Sequence, residues 1–270
     1  MLQLTADQHN RLVQTERVIL IATGTNEQVI INKGFLALHS TFFAQVVDKP
    51  SAVGEDGQAT FEVDSAATAI KVFVRWCYEG HFRPINVATA GEAQLNQRKM
   101  LLIDLWIFGE KYGIPAIQNE AIEHLAQVLT THPHLLTRED VEYILTRTPV
   151  EQESNPLKHL LVITIIFLLE VGAKGSNADA GLKAYEQCAQ GFPGFMSLML
   201  KWQRAWLIVN TSGKSRASVE RLGEFVAREG VERYLVVEEG EVEEWVRRKY
   251  GLGEEREVEV EVEVIVIDDD

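Results

Sequence analysis

RVILIATGTNEQVIINKGFLALHSTFF, residues 17–43, is the stretch that decides the fold of this chain. The run at 18–22 is β-branched or apolar throughout, which is typical of a strand covered on both faces. Turn-forming residues follow at 24–26, and a second apolar run at 29–31 completes a predicted hairpin. After Lys33 the apolar residues recur at roughly helical spacing. The stretch therefore predicts two strands followed by helical structure.

The next hundred residues continue the alternation of strand and helix. Residues 60–63 alternate as a short strand does, and residues 66–77 carry one apolar stripe of helical period. Residues 48–58 and 81–97 are polar connections. The segment 101–112 is apolar nearly all round, which predicts a central helix. It ends at a glycine, and a proline two residues later can open the next helix.

After residue 130 the pattern is helical only. Thr137 followed by Asp140 resembles a capping box. Asn155 and Pro156 supply a cap and a first turn for a buried helix at 157–171. The apolar run inside that helix is half of the roughly 20 residues needed to span a bilayer, so we expect no membrane segment. Further helices are expected at 182–190, 195–209, 216–229 and 240–249.

The charge of the chain is concentrated near its end. The net charge is −14, of which residues 218–270 contribute −11 with 18 acidic and 7 basic residues. Neither that segment nor the nearly neutral remainder has the basic footprint that phosphate binding needs, so direct nucleic-acid binding is not expected. The segment 255–270, EREVEVEVEVIVIDDD, alternates as a strand does. Alone, the segment buries too little apolar surface to offset the conformational entropy lost when it becomes ordered. This favours a disordered acidic tail, and the alternative is a strand added to a sheet edge.

The cysteine content and the first residues indicate the compartment. Cys77 and Cys188 are the two cysteines, too few for a disulfide framework, so a reducing environment fits. Residues 1–17 lack the basic start and apolar core of a signal peptide. We therefore expect an intracellular protein, in the cytoplasm, the nucleus or both.

One stretch raises the alternative of a nucleotide-binding enzyme. Residues 206–209 are strand-like and precede Gly213, Lys214 and Ser215. A phosphate-binding loop of this type needs a glycine five residues before Gly213, where its backbone amides turn towards the phosphates. That position is Ile208, so the stretch is interpreted as a polar linker.

Other chemistry-bearing residues are weaker candidates. His132 and His134 offer two imidazoles, but no adjacent cysteine or carboxylate set completes a metal site. Glu110, Glu120 and Glu123 are expected at exposed positions on helices, and not as a catalytic pair. We therefore predict no catalytic residue, no metal and no cofactor.

Three ordered blocks of the sequence resemble the BTB/POZ domain, over residues 15–130. The first is INKGFL at 31–36 with STFF at 40–43, where the family has an apolar strand, a His-Lys/Arg pair, and a spaced Ser and aromatic pair. The second is FVRWCYEG at 73–80, in place of a helix ending in Tyr-Thr-Gly. The third, at 101–125, looks like the closing helix pair of fungal BTB proteins.

The resemblance implies an α+β fold, with a small three-stranded sheet flanked by helices. It divides the chain into a lead at 1–14, a BTB/POZ domain at 15–130, a helical extension at 131–250 and an acidic low-complexity tail at 251–270. Within the domain, the small hydroxylated Ser40 can close a tight helical corner that a following pair of phenylalanines anchors in the core.

BTB domains are protein–protein interaction modules, so the resemblance implies self-association or a scaffold role without catalytic activity. Family members commonly homodimerise through the first helix, here at about 34–47, and a monomer is the other possibility for this chain. The alternative is a substrate adaptor of a cullin-type ubiquitin ligase, with the cullin contact near 42–50 and 75–85 and the substrate contact after residue 130. The candidate dimer residues are Phe35, Leu36, Leu38, His39 and Phe42.

Two departures from the family pattern bear on its charged pocket. The family histidine is replaced by Asn32. In transcription-factor members an aspartate at the start of the first strand and an arginine after that histidine line a pocket at the dimer interface. The matching positions here are Arg17 and Lys33, two like charges. The resemblance therefore implies a face that joins by apolar contact, and not a charged groove for a corepressor.

Overall fold

The computed structural model describes residues 5–47, 52–53, 58–148 and 155–172, together with residues 192, 195, 197–200 and 203. The helices predicted at 182–190, 216–229 and 240–249, most of the helix at 195–209, Cys188, the Gly213-Lys214-Ser215 stretch and the acidic tail lie outside the described residues.

The described part is α+β. Four strands form one sheet: β1 (Arg17–Ala22), β2 (Gln28–Asn32), β3 (Ala52–Val53) and β4 (Ala59–Val63). The helices are α1 (Ala6–Val13), α2 (Lys33–His39), α3 (Thr41–Val46), α4 (Ala67–Glu79), α5 (Glu92–Lys111), α6 (Pro115–Thr131), α7 (Arg138–Arg147) and α8 (Pro156–Gly172), with a 3₁₀ turn at Pro133–Leu135.

The sheet has the strand order β2-β1-β4-β3. β1 and β2 form the predicted antiparallel hairpin, and β1 pairs with β4 in parallel. Asn26 takes the left-handed conformation, φ 55°, that the turn requires and that asparagine tolerates. A small three-stranded sheet flanked by helices is thus confirmed. The two-residue β3 extends it at one edge, and a strand that short leaves no periodic signal in a polar loop.

The core lies between the sheet and the helices. Val18, Leu20 and Ala22 alternate along β1 and are buried, so one face of the central strand meets the helical layer. A single buried cluster continues from there through α5 and α6 to α7 and α8. The helical segment after residue 130 therefore packs directly on the helices that precede it.

Two helices begin where the sequence indicated no helix. α1 lies in the lead, starts at a Thr5–Gln8 capping box and buries Leu12. α5 begins at Glu92, inside the segment interpreted as a polar connection. Its first two turns bury one apolar side chain, Leu95, and leave Glu92, Gln94 and Gln97 exposed, so no apolar stripe is visible there. The next turn adds Lys99, which is 2% exposed and forms an ion pair with Asp140.

The predicted starts of α7 and α8 are confirmed. Thr137 Oγ1 accepts a hydrogen bond from Asp140 N at 3.3 Å, and Asp140 Oδ2 accepts one from Thr137 N at 2.8 Å. Asn155 Oδ1 accepts from Lys158 N at 3.1 Å. Among the residues that the structure describes, none of the helices is long and apolar enough to cross a membrane.

Candidate interaction site

A tight corner at Ser40 joins α2 to α3. Ser40 Oγ accepts a hydrogen bond from Phe43 N at 3.0 Å, which caps α3, and donates one to Tyr112 O at 2.6 Å. The backbone N–H of Thr41 donates to Gly113 O at 3.0 Å. These bonds connect the corner to the end of α5, more than 70 residues further along the chain. The role predicted for Ser40 is confirmed.

The two phenylalanines after the corner differ in exposure. Phe43 is buried and stacks on the Tyr112 ring, with centroids 5.4 Å apart and ring planes 12° apart. Phe42 packs against the edges of the same two rings but stays 42% exposed. Only Phe43 anchors the corner in the core. Phe42 therefore presents an apolar surface on α3, and the hydrogen bonds of the Ser40 corner fix the position of this helix.

The structure places most of the candidate dimer residues inside the domain. Phe35 and Leu36 have no exposed surface and Leu38 is buried with them. These three side chains cannot reach a second molecule while the domain is folded, which corrects the interface expected on α2. The helical spacing at 34–47 reflects core packing, because α2 contacts α1, α4 and β2 and its residues 34–38 are all buried. Of the five, Phe42 has the exposed surface that a partner needs.

His39, the remaining candidate, lies in the last turn of α2. Its ring meets the Trp76 ring edge-on, with centroids 4.9 Å apart. Removal from water lowers the pKa of His39 to about 4, against an opposing contribution from the Cys77 backbone. The imidazole is therefore neutral at physiological pH and acts as a packing residue.

Asn32, one of the three residues matched to the family's charged pocket (Arg17, Asn32 and Lys33), has structural partners. The Asn32 side-chain amide donates to Val13 O at 2.8 Å and to Thr15 O at 3.1 Å, and its carbonyl accepts from Tyr78 Oη at 2.7 Å. Asn32 thus connects the end of α1 to α4, and Arg17 lies opposite it in the hairpin. The side chain of Asn32 therefore contacts other parts of the domain instead of lining a pocket.

Lys33 has an acidic neighbour, although Arg17, the residue matched to the family's aspartate, is basic. Lys33 Nζ lies 3.9 Å from a carboxylate oxygen of Glu16, the residue directly before β1. Glu16 is almost fully exposed, so this ion pair contributes at most about 1 kcal/mol. The positions of opposite charge are therefore 16 and 33, one residue away from the pair matched in the sequence.

A polar cleft of about 260 Å³ lies where the β1–β2 turn, the start of α4, α5 and α7 meet. Lys111 Nζ donates to Asp64 Oδ2 at 2.6 Å, and Tyr143 Oη donates to Asp104 Oδ1 at 2.7 Å. The guanidinium of Arg147 lies 5.5 Å from the centre of the Tyr143 ring. The cleft thus holds one carboxylate–ammonium pair, and its second carboxylate accepts from a tyrosine whose ring contacts a guanidinium.

The electrostatics of the cleft favour these pairs over reactivity. The hydrogen bond and charge of Lys111 lower the pKa of Asp64. Burial raises the pKa of Asp104, and it raises the pKa of Tyr143 to about 12. With so high a pKa the Tyr143 hydroxyl stays protonated at physiological pH, which makes it a poor nucleophile. Sequence reasoning missed this site because its residues come from four separate elements and form no local motif.

Two of the glutamates expected at the surface have internal partners. Glu120 accepts hydrogen bonds from Trp76 Nε1 at 2.6 Å and from Phe82 N at 2.5 Å. Glu110 accepts from Asn155 Nδ2 at 3.4 Å, and burial raises its pKa. Glu120 is thus a structural acceptor between α4 and α6. Glu110 contacts the start of α8.

The two histidines after α6 also contact the domain. The rings of His132 and His134 meet edge-on at 5.8 Å, and each histidine has its own polar neighbour, the Val87 carbonyl for His132 and the Glu92 carboxylate for His134. In the described part of the chain no group of three or more metal-ligating side chains is placed to hold an ion.

No protein-family model matches the sequence, and no curated protein matches it.

Proposed function

We propose that this chain is a protein–protein interaction module of the BTB/POZ kind, which self-associates or serves as a scaffold and has no catalytic activity. The observation that carries the proposal is the packing of the three sequence blocks that resemble the family. They lie far apart in the chain, and each contacts the other two in one core.

The contacts between the blocks are specific. The first block meets the third where Ser40 donates to Tyr112 O. It meets the second where the rings of Phe35 and Tyr78 pack at 4.6 Å. The second meets the third through the buried pair Phe73 and Phe108, at 4.9 Å. The proposal requires these three blocks to share one core, and the contacts meet that requirement.

Phe42 is the residue we propose at the interface. A half-exposed aromatic ring on a well-held corner is a typical anchor for a protein partner, because little side-chain entropy is lost when it is covered. The helices beside it are fixed by the Ser40 and Thr41 hydrogen bonds, so the surface is preformed.

Co-purification of two differently tagged full-length copies tests self-association. We expect each tag to recover the other, and light scattering to report a dimer. Phe42→Ala should weaken the dimer at least tenfold. Val13→Ala, which removes another apolar side chain of similar exposure (44%), should not. A full-length protein that stays monomeric at high concentration and recovers no stoichiometric protein partner would refute the proposed function.

A second candidate, the adaptor of a cullin-type ubiquitin ligase, is favoured by the position of the same residue. Phe42 lies in the segment 42–50, where the resemblance implies the cullin contact. α7 and α8 pack against α5 and α6, as a substrate-binding helical extension would. Affinity purification of the full chain decides between the candidates: absence of any cullin from the recovered proteins excludes the adaptor.

A further inference from the structure

β2 is an edge of the sheet, and among the residues that the structure describes it pairs only with β1. At one end of this pair, Lys33 N donates to Glu16 O at 2.8 Å. Hydrogen-bonded positions alternate along an antiparallel ladder, so the backbone groups of Gln28 and Ile30 point away from β1. Within the described residues, these two positions form an open ladder of N–H and C=O groups.

α4 borders that open edge on one face of the sheet. The outward N–H of Asn32 donates to Tyr78 Oη at 3.1 Å, which places α4 beside the end of the ladder. Lys71, seven residues earlier on the same helix, forms an ion pair with Glu27 at the start of the strand. Arg75 is exposed one turn after Lys71 and on the same side of α4. This face of the edge therefore carries two cationic side chains, Lys71 and Arg75, beside the carboxylate of Glu27.

The opposite face of the same edge is apolar. Ile30 is 52% exposed, and its cross-strand neighbour Ile19 is only partly covered. Val18 and Leu20 point to the buried side, so the two isoleucines share the outer side of the sheet. A strand that fits this edge needs acidic side chains on one face and apolar side chains on the other.

Residues 257–264 have that pattern, EVEVEVEV. In an extended strand the glutamates lie on one face and the valines on the other. With the glutamates towards α4, the valines continue the outer face beside Ile30. A slip of one residue would place valine beside the cations and glutamate beside the isoleucine, so the pairing specifies which face the glutamates take.

We propose that residues 257–264 bind the outer edge of β2 as an added strand, with their glutamates facing Lys71 and Arg75 and their valines beside Ile30. Chain length allows this pairing, because residues 204–256 lie between the segment and the last described residue and an extended chain spans about 3.3 Å per residue. Since the two parts belong to one chain, the effective concentration is high, of the order of millimolar.

Hydrogen exchange in the full-length chain tests the pairing. The amides of Gln28 and Ile30 exchange rapidly from an open edge and slowly from a paired one. The test variant V258E/E259V/V262E/E263V keeps composition and charge but destroys the alternation. The control variant V258I/V262I keeps it. We expect at least tenfold slower exchange of both amides in the wild type and the control than in the test variant.

Two outcomes of this experiment overturn the proposal. Equal exchange in the wild type and the test variant means that the segment does not cover the edge. Protection that persists in the test variant and increases with protein concentration means that a second copy occupies it. Protection that is independent of concentration and lost in the test variant supports the proposal.

Carbodiimide coupling adds a direct readout of contact, since it joins an amine to a carboxylate only when they touch. We expect coupling of Lys71 to the glutamates of the segment within one chain, and its loss in the test variant. Coupling of Lys71 to Glu27 alone in the wild type would contradict the proposed orientation.

Discussion

Ser40→Ala tests whether the corner between α2 and α3 holds the domain together. Ser40 is 1% exposed, and its hydroxyl both caps α3 and donates to Tyr112 O. Loss of the cap costs about 1 kcal/mol. The buried carbonyl of Tyr112 loses this donor, which costs a further 1–3 kcal/mol, roughly. We therefore expect the free energy of unfolding to fall by about 2–4 kcal/mol.

Urea denaturation of the full chain, followed by tryptophan fluorescence, measures this change, because the buried Trp76 and Trp106 lie in the same core. Ser65→Ala is the matched control, since within the described residues the Ser65 hydroxyl makes no hydrogen bond; we expect a change under about 0.5 kcal/mol. If Ser40→Ala lies within that range of the wild type, at an unchanged denaturant slope, the corner does not have the role assigned to it.

Three further perturbations have defined outcomes. Gly113→Ala should destabilise the chain by more than about 2 kcal/mol, because φ is +60° and the new Cβ would lie 1.8 Å from a threonine hydroxyl. The control Gly24→Ala has open space around the new Cβ and should change stability by less than about 1 kcal/mol. Urea titrations measure both changes. Lys99→Met leaves a buried aspartate without its cation and should lower the free energy of unfolding by about 3–5 kcal/mol. The control Lys111→Met breaks an exposed ion pair and should lower it by less than about 1 kcal/mol. Equal effects of the two variants would contradict the burial assigned to the first pair. The pKa of His39 is about 4 in the folded chain and about 6.5 when unfolded, so the unfolded state binds more protons between these values and stability should fall as the pH drops from 6.5 to 4. Denaturation at pH 7 and pH 4 measures the loss. Between these pH values the wild type should lose at most about 3 kcal/mol more stability than His39→Gln does. An equal loss in the two proteins would refute the lowered pKa of His39.

The parts of the fold that could be predicted from the sequence are those with local signals. The β1–β2 hairpin follows from two apolar runs around turn-forming residues. The starts of α7 and α8 follow from caps that act over three residues, at Thr137 and Asn155. Ser40 belongs to the same class, because a small hydroxylated residue before an aromatic pair is visible in the sequence alone.

The parts that could not be predicted depend on contacts between distant residues. Lys99 looks like a surface lysine, and its partners, Asp140 and the Leu135 carbonyl, lie 36 or more residues away. The two phenylalanines after Ser40 are chemically equal in the sequence. Which of them is buried depends on Tyr112, whose ring stacks on Phe43. The polar cleft is a stronger case, because none of its four elements carries a recognisable motif.

Asn32 stands where the BTB/POZ pattern has a histidine, and its contacts bear on what the resemblance implies. Asparagine offers both an amide donor and a carbonyl acceptor, and here it uses them on the backbone of α1 and on Tyr78. The side chain is thereby committed to joining α1, β2 and α4. The residue that the resemblance matches to that histidine is thus a structural contact in this chain. We therefore place the proposed partner contact at Phe42 on α3, beyond the C-terminal end of α2, where an apolar ring is exposed.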